Sequence, residues 1–135
     1  MKAVAPGLWI GNAADARDVR RVVDLGIMAV LHLAMEDPPV GYPRDIVYCR
    51  FPLIDGVGNR PEVVRAAVGT LRNLIEVDAP TLVACSGGVS RAPAIVAAAW
   101  SQTLGVSLDD ALKRLVALAP HDISPALWDE IKRCG

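Results

Sequence analysis

Apolar residues fall into two kinds of stretch along this chain, and the two kinds alternate. Residues 8–10, 27–34 and 81–84 are short, nearly solid apolar blocks. Blocks that short, with Gly, Pro or polar clusters nearby, predict strands buried on both faces. Residues 46–53 alternate well enough to predict another strand. The longer stretches are periodic. Residues 12–25 read as a helix, with Asn12 placed to cap it and Gly26 at its end. Residues 61–77 read as a second helix, with Pro61 suited to its first turn. Residues 92–104 form a third. In residues 107–119, Leu108, Leu112, Leu115 and Ala119 share one face, and Ser107 is a cap. Ser124-Pro125 opens a last helix that carries Trp128 and Ile131. Strands interleaved with helices predict an α/β fold: a central, mostly parallel sheet of four or five strands flanked by helices. No repeat or linker divides residues 1–135, so a single domain is expected. In such sheets ligands sit at the carboxyl ends of the strands.

The junction between block 81–84 and helix 92–104 carries the chemistry. It reads Cys85-Ser86-Gly87-Gly88-Val89-Ser90-Arg91. A strand, a tight loop and a helix in that order place Cys85 at a strand end, with the loop N–H groups converging above its sulfur. Free N–H groups and the positive end of the helix dipole then point the same way, which makes an anion site. The same field favours a thiolate over a thiol. A lone cysteine is more often an inert packing residue. Here the flanking strand and helix and the two glycines point instead to a nucleophile. Arg91 supplies a planar fork for two oxygens of a tetrahedral oxyanion. A cation at a helix start is unfavourable alone, and a bound anion removes that objection. Gly87 and Gly88 serve the turn and also let backbone approach a phosphate closely. A thiolate beneath a bound phosphate is a phosphate-ester hydrolase in outline.

The pattern Cys-x-x-Gly-x-Ser-Arg resembles the signature loop of the cysteine-dependent dual-specificity phosphatases, in the protein tyrosine phosphatase superfamily. The resemblance covers nearly the whole chain. Residues 8–16 (Leu-Trp-Ile-Gly-Asn-Ala-Ala-Asp-Ala) look like the family's opening strand and Gly-Asn turn. Residues 30–34 look like its next strand, and residues 51–55 with Asn59 look like the segment bearing its general acid. The resemblance implies that Cys85 attacks phosphorus and forms a cysteinyl-phosphate. Asp55 protonates the leaving oxygen and then activates water. Arg91 and the N–H groups of residues 86–91 stabilise the equatorial oxygens. No metal or cofactor enters that scheme. Asp55 before Gly56 is also an ordinary turn pair. Asn59 is expected to hold the acid loop. Asn12 either caps its helix or bonds to the signature loop, and Ser90 is expected to bond within its own loop. Ser86 or Ser90 could also stand in for a hydroxyl the family has at position 92. Two positions depart from the pattern: Ala84 stands where the family has His, and Ala92 where it has Ser or Thr.

Composition narrows the setting. The chain has 135 residues, 53% of them hydrophobic, and a net charge of −1, so nothing draws it to nucleic acid or an anionic membrane. No run reaches a membrane span, and residues 1–12 show no signal peptide. Three widely spaced cysteines (Cys49, Cys85, Cys134) do not form a disulfide framework, and His32 and His121 lie far apart in sequence, against a zinc site. A reducing cytoplasm fits. His32, Trp100 and Trp128 read as core. The expected partner is a phosphorylated protein or a small phosphomonoester, with neither nucleic acid nor membrane; oligomeric state is left open. Phosphotyrosine is the expected substrate, with phosphoserine and phosphothreonine admitted by a shallow site. The competing readings are a catalytically weak phosphate-binding pseudophosphatase, a rhodanese-like sulfurtransferase or an arsenate reductase. The last would need relay cysteines close to Cys85.

Overall fold

The computed structural model describes residues 1–134. A five-stranded sheet is built from β1 (Lys2–Ala5), β2 (Leu8–Gly11), β3 (Ala29–Ala34), β4 (Val47–Leu53) and β5 (Thr81–Ala84). Its order is β1-β2-β5-β3-β4, so β5 is central. β2, β5, β3 and β4 run parallel, and only β1 is antiparallel, against β2. The mostly parallel α/β sheet expected from the sequence is the sheet observed. Every residue of β3 and β5 is buried, as solid apolar blocks require when helices cover both faces.

Alternation along the strands sorts the core into two layers. Val30, Leu82 and Ala84 face Ala16 and Val22, from α1 (Ala13–Arg17) and α2 (Val19–Asp24). Leu31, Leu33 and Val83 face the larger layer, made by α3 (Pro61–Glu76), α4 (Arg91–Leu104), α5 (Leu108–Val116) and α6 (Pro125–Cys134). α4 is the central helix of that layer. Its residues from Arg91 to Trp100 are all buried, which explains its unbroken Ala-rich run.

Three local details differ from the sequence expectation. The helix expected over residues 12–25 is two helices. Asp18 ends the first through its own N–H and starts the second by accepting from the Arg21 N–H, a local bond that competes with continued helix. β1 was not expected: its apolar run is only Ala3-Val4-Ala5 before Pro6-Gly7, and Val4 alone of its four residues is buried. In α5 the buried residues are Ala111 and Leu115, while Leu108 and Leu112 are only partly covered.

Candidate functional site

Strand β5 ends at Ala84 and helix α4 begins at Arg91, so residues 85–90 form the connecting loop at the carboxyl edge of the sheet. Backbone contacts fix this loop. The Cys85 N–H donates to Gly11 O at 3.3 Å, and the Ala13 N–H donates to Ser86 O at 3.0 Å. On the far side the Asp122 N–H donates to Val89 O at 2.7 Å. Gly88 has φ +75°, and a Cβ there would lie 2.9 Å from the Gly11 carbonyl carbon. Only glycine satisfies both the left-handed backbone and the close approach. Gly87 has room around it. Cys85 is 2% exposed, at the base of the loop.

Arg91 is 4% exposed and is held on one edge. Its NH1 donates to Glu36 Oε1 at 2.6 Å and to Leu53 O at 2.9 Å, and its NH2 donates to Glu36 Oε2 at 2.7 Å. This bidentate pair uses the outer fork of the guanidinium. Nε is buried and has no hydrogen-bond partner. The inner fork, Nε with the second N–H of NH2, is thus available to a tetrahedral oxyanion. The Glu36 bonds raise the Arg91 pKa above its usual value, and the charges of Cys85 and Asp55 nearby act in the same direction. Arg91 in turn pulls Glu36 down to about 2, helped by the Ser86 hydroxyl.

Glu36 was not among the residues the sequence singled out. A signal existed: an acidic pair, Glu36-Asp37, directly follows a buried strand at the edge where a buried Arg needs a counter-charge. Ser86 Oγ lies 2.9 Å from Glu36 Oε2 and 2.8 Å from Asp37 Oδ1. Asp37 Oδ2 lies 3.5 Å from Nε2 of buried His32, whose Nδ1 lies 2.7 Å from the Tyr48 hydroxyl. Burial lowers the His32 pKa, and Asp37 opposes that shift. His32 pairs in register with Ala84 on the neighbouring strand, so an imidazole lies beside the position where the signature pattern has its own.

Asp55 follows β4 at the same edge. The Ser90 hydroxyl donates to its Oδ1 at 2.5 Å, and the Ser124 N–H donates to Ser90 Oγ at 3.0 Å. Ser90 therefore bonds outside its own loop, contrary to expectation. The Ser86 and Ser90 hydroxyls both lie against carboxylates, Glu36 and Asp37 for the first and Asp55 for the second. Asn59 closes the Asp55 loop from behind. Its Oδ1 accepts from the Ile54 N–H at 2.7 Å, and its Nδ2 donates to Ile54 O at 3.0 Å and Gly56 O at 3.1 Å. Glu130 of α6, also not foreseen, accepts from the N–H groups of Gly58 and Asn59 at 2.9 and 2.7 Å. Asn12 caps α1, in a reciprocal box with Asp15, and this is the hydrogen bonding of its side chain. The neighbouring Gly11 and Ala13 backbone touches the loop instead.

The fold resembles solved phosphatase structures. Human DUSP28 superposes with a TM-score of 0.86 at 20% identity, over 99% of this chain and 94% of that one. A mouse putative dual specificity phosphatase complexed with zinc tungstate gives 0.85 at 24%, over 98% and 84%. By sequence, human dual specificity protein phosphatase 15 is 30% identical over 141 residues, covering 99% of this chain and 45% of that protein. In sequence and in fold the chain is similar to the dual-specificity phosphatases of the protein tyrosine phosphatase superfamily. Human dual specificity protein phosphatase 9 is 28% identical over 124 residues, 90% of this chain and 32% of its own length. The chain thus spans less than half the length of these curated relatives. No family model matches it.

Against this family background the remaining cysteines take their places. Cys49 on β4 is separated from the β5 end by strand β3. Two ladder spacings put it about 10 Å or more from Cys85, beyond disulfide reach. Burial raises the Cys49 pKa, which makes it a poor nucleophile. Trp100 and Trp128 lie in the core. Among the described residues no helix is long and apolar enough to cross a membrane, and no group of three or more His, Cys, Asp or Glu could hold a metal.

Proposed function

We propose that this chain is a phosphoprotein phosphatase acting on phosphotyrosine, and on phosphoserine and phosphothreonine through a shallow site. One observation carries the reading most. Arg91 is buried and fixed by Glu36 and Leu53 O, yet its Nε faces no partner, an arrangement that suits an incoming phosphate. Cys85 attacks phosphorus in line, and the P–O bond to the leaving group breaks. Asp55 gives its proton to the departing oxygen. Water then attacks phosphorus, Asp55 takes a proton from it, and the thiolate leaves as inorganic phosphate forms. Arg91 and the amides of residues 86–91 hold the three equatorial oxygens. Residues 1–135 would act as one catalytic domain. Three free cysteines, one of them the nucleophile, suit a reducing cytoplasm.

The test is hydrolysis of p-nitrophenyl phosphate across pH by wild type, Cys85→Ser and Asp55→Asn. Activity abolished by Cys85→Ser, with the low-pH side of the profile changed by Asp55→Asn, is the expected result. Activity that survives Cys85→Ser overturns the nucleophile. Ala92, fully buried in the first turn of α4, offers no hydroxyl to the departing thiolate. The second step is therefore slow, and a burst of nitrophenol with trapped phosphocysteine is expected. Linear release without a burst overturns that step order. Ala84 and Ala92 also favour a second reading, a phosphate-binding module with little turnover. Its mark would be phosphopeptide or vanadate binding without hydrolysis.

A further inference from the structure

Ser90 lies between the phosphate loop and the acid, and its hydrogen bonds run in a fixed direction. Its oxygen accepts from the Ser124 N–H at 3.0 Å. Its own proton lies against Asp55 Oδ1 at 2.5 Å. The side chain is 6% exposed, so water does not compete freely for either bond. The Ser124 contact occupies one lone pair and leaves the hydroxyl proton aimed at Asp55. A carboxylic acid bonded through one oxygen carries its proton on the other. Oδ1 is taken by Ser90, so the transferable proton sits on Oδ2 and the carboxyl plane is set relative to the loop that holds phosphorus. The acid is in this way oriented by the loop that binds the substrate.

We propose that Ser90 is the positioning residue of the general acid, coupling Asp55 to the phosphate loop and to the segment before α6. This rests on the phosphatase reading above. Ser90 neither donates to nor takes a proton from the substrate. It fixes the face that Asp55 presents when the ester oxygen departs, and again when the same carboxylate accepts a proton from water. The Ala92 departure makes the assignment more specific. The Ser90 hydroxyl, which could otherwise have served the thiolate, is committed to the acid.

A positioned acid matters most when the leaving group is a poor one. kcat/KM is measured for wild type, Ser90→Ala and Ser90→Thr with aryl phosphates whose phenols span nitrophenol to unsubstituted phenol. Wild type is expected to depend weakly on phenol acidity. Ser90→Ala is expected to lose about tenfold to a hundredfold on phenyl phosphate, a part of what a general acid contributes, and much less on the nitrophenyl ester. Ser90→Thr, which keeps the hydroxyl, restores the wild-type dependence. In the Asp55→Asn background Ser90→Ala adds little further loss, because the group it orients is already gone. An equal loss on every ester, or no loss, overturns the proposal while leaving the phosphatase reading intact. A wild type without Cys85-dependent hydrolysis overturns the reading itself. Thermal unfolding accompanies each variant. Should Ser90→Ala not fold, Ser90→Cys, nearly the same size and a weak donor, is measured on the same series with the same expectation.

Discussion

The loop of residues 85–90 has two flanks, and they are built differently. On one flank Glu36 grips Arg91 with a bidentate ion pair, although Glu36 is itself 56% exposed. On the other, the Ser90 hydroxyl bonds Asp55 directly, while Asn59 and Glu130 hold the backbone of its loop; these three residues are each at most 9% exposed. The contrast follows from what each flank has to hold. Arg91 keeps its charge under all ordinary conditions, so its partner needs only to fix a direction, and a solvated carboxylate does that. A proton donor has to gain and lose charge in each turnover. Hydrogen bonds from buried side chains, with Asp55 itself exposed, fix its geometry without adding a permanent opposite charge beside it. The charged flank is a simple pair. The flank that carries the proton donor in the proposed reaction is a network, with members from the β4–α3 loop, the residue 85–90 loop, the turn before α6, and α6 itself.

Arg91→Lys breaks the charged flank most severely. An ammonium cannot span Glu36, Leu53 O and two phosphate oxygens together, since it lacks the planar fork. kcat/KM on p-nitrophenyl phosphate is expected to fall about 10²- to 10³-fold, the scale of removing a preorganised oxyanion donor. Inhibition by inorganic phosphate should weaken in parallel. A lysine enzyme with near wild-type kcat/KM would mean that the loop amides alone carry the phosphate.

Asn59→Ala breaks the other flank. Three side-chain hydrogen bonds to Ile54 and Gly56 disappear, and the Ile54 N–H loses its acceptor. Unfolding free energy in urea is expected to drop by about 1–2 kcal/mol, the cost of losing hydrogen bonds to partly buried backbone groups. Glu130→Gln is expected to cost less, because an amide oxygen still accepts from one of the two N–H groups now bonded to the carboxylate. Asn59→Ala without a stability loss would show that the acid loop is held mainly by α6.

These flanks also separate what could be read in the chain from what could not. The loop was legible because strand, glycines and helix follow one another locally in residues 81–104, and each signal supports the others. Asn59 was legible as a loop-holding residue because the partners of its side chain are at most five positions away. Glu130 was not, because it meets Gly58 across 72 residues and sits in a helix whose pattern explains it as an ordinary surface position. Glu36 was hidden differently. It falls between a strand and a Pro-rich loop, and only the fold shows that Arg91, 55 residues on, ends beside it. Ser90 was identified as a loop residue, but its partners, Asp55 and Ser124, are 35 and 34 residues away on opposite sides in sequence. Local chemistry was visible in the sequence; the groups that orient it come from remote segments.

Glu36→Gln is a gentler change to the charged flank. The amide keeps an acceptor for Arg91, which Leu53 O also holds. kcat/KM is expected to change by less than about tenfold, in keeping with the small worth of solvated pairs. The pH dependence has a definite sign. Glu36 is depressed from 4.5 to about 2, so its stabilisation is complete above pH 4.5 and is lost only as pH falls toward about 2. No break from this group is expected between pH 5 and 8. A break there that Glu36→Gln removes would mean that Arg91 holds it much less firmly.

The smallest expected effect lies behind the charged flank, at His32. This side chain is 1% exposed and lies beside Asp37, whose Oδ1 is 2.8 Å from the Ser86 hydroxyl. Burial lowers its pKa from 6.5, so the unfolded chain binds the proton first as pH falls. The contribution of His32 to stability is full above pH 6.5 and is lost between 6.5 and the lower folded-state value. In urea unfolding, wild type is expected to lose at most about 1.4 kcal/mol per pH unit from this group on acidification from pH 6.5. His32→Gln should remove that slope while lowering stability at pH 7.5, where the bond to Tyr48 is also lost. A slope that persists in the variant would place the titration elsewhere. A wild-type stability that rises on acidification would mean that Asp37 outweighs burial, and that the histidine is a counter-charge for the loop rather than a neutral spacer beside it.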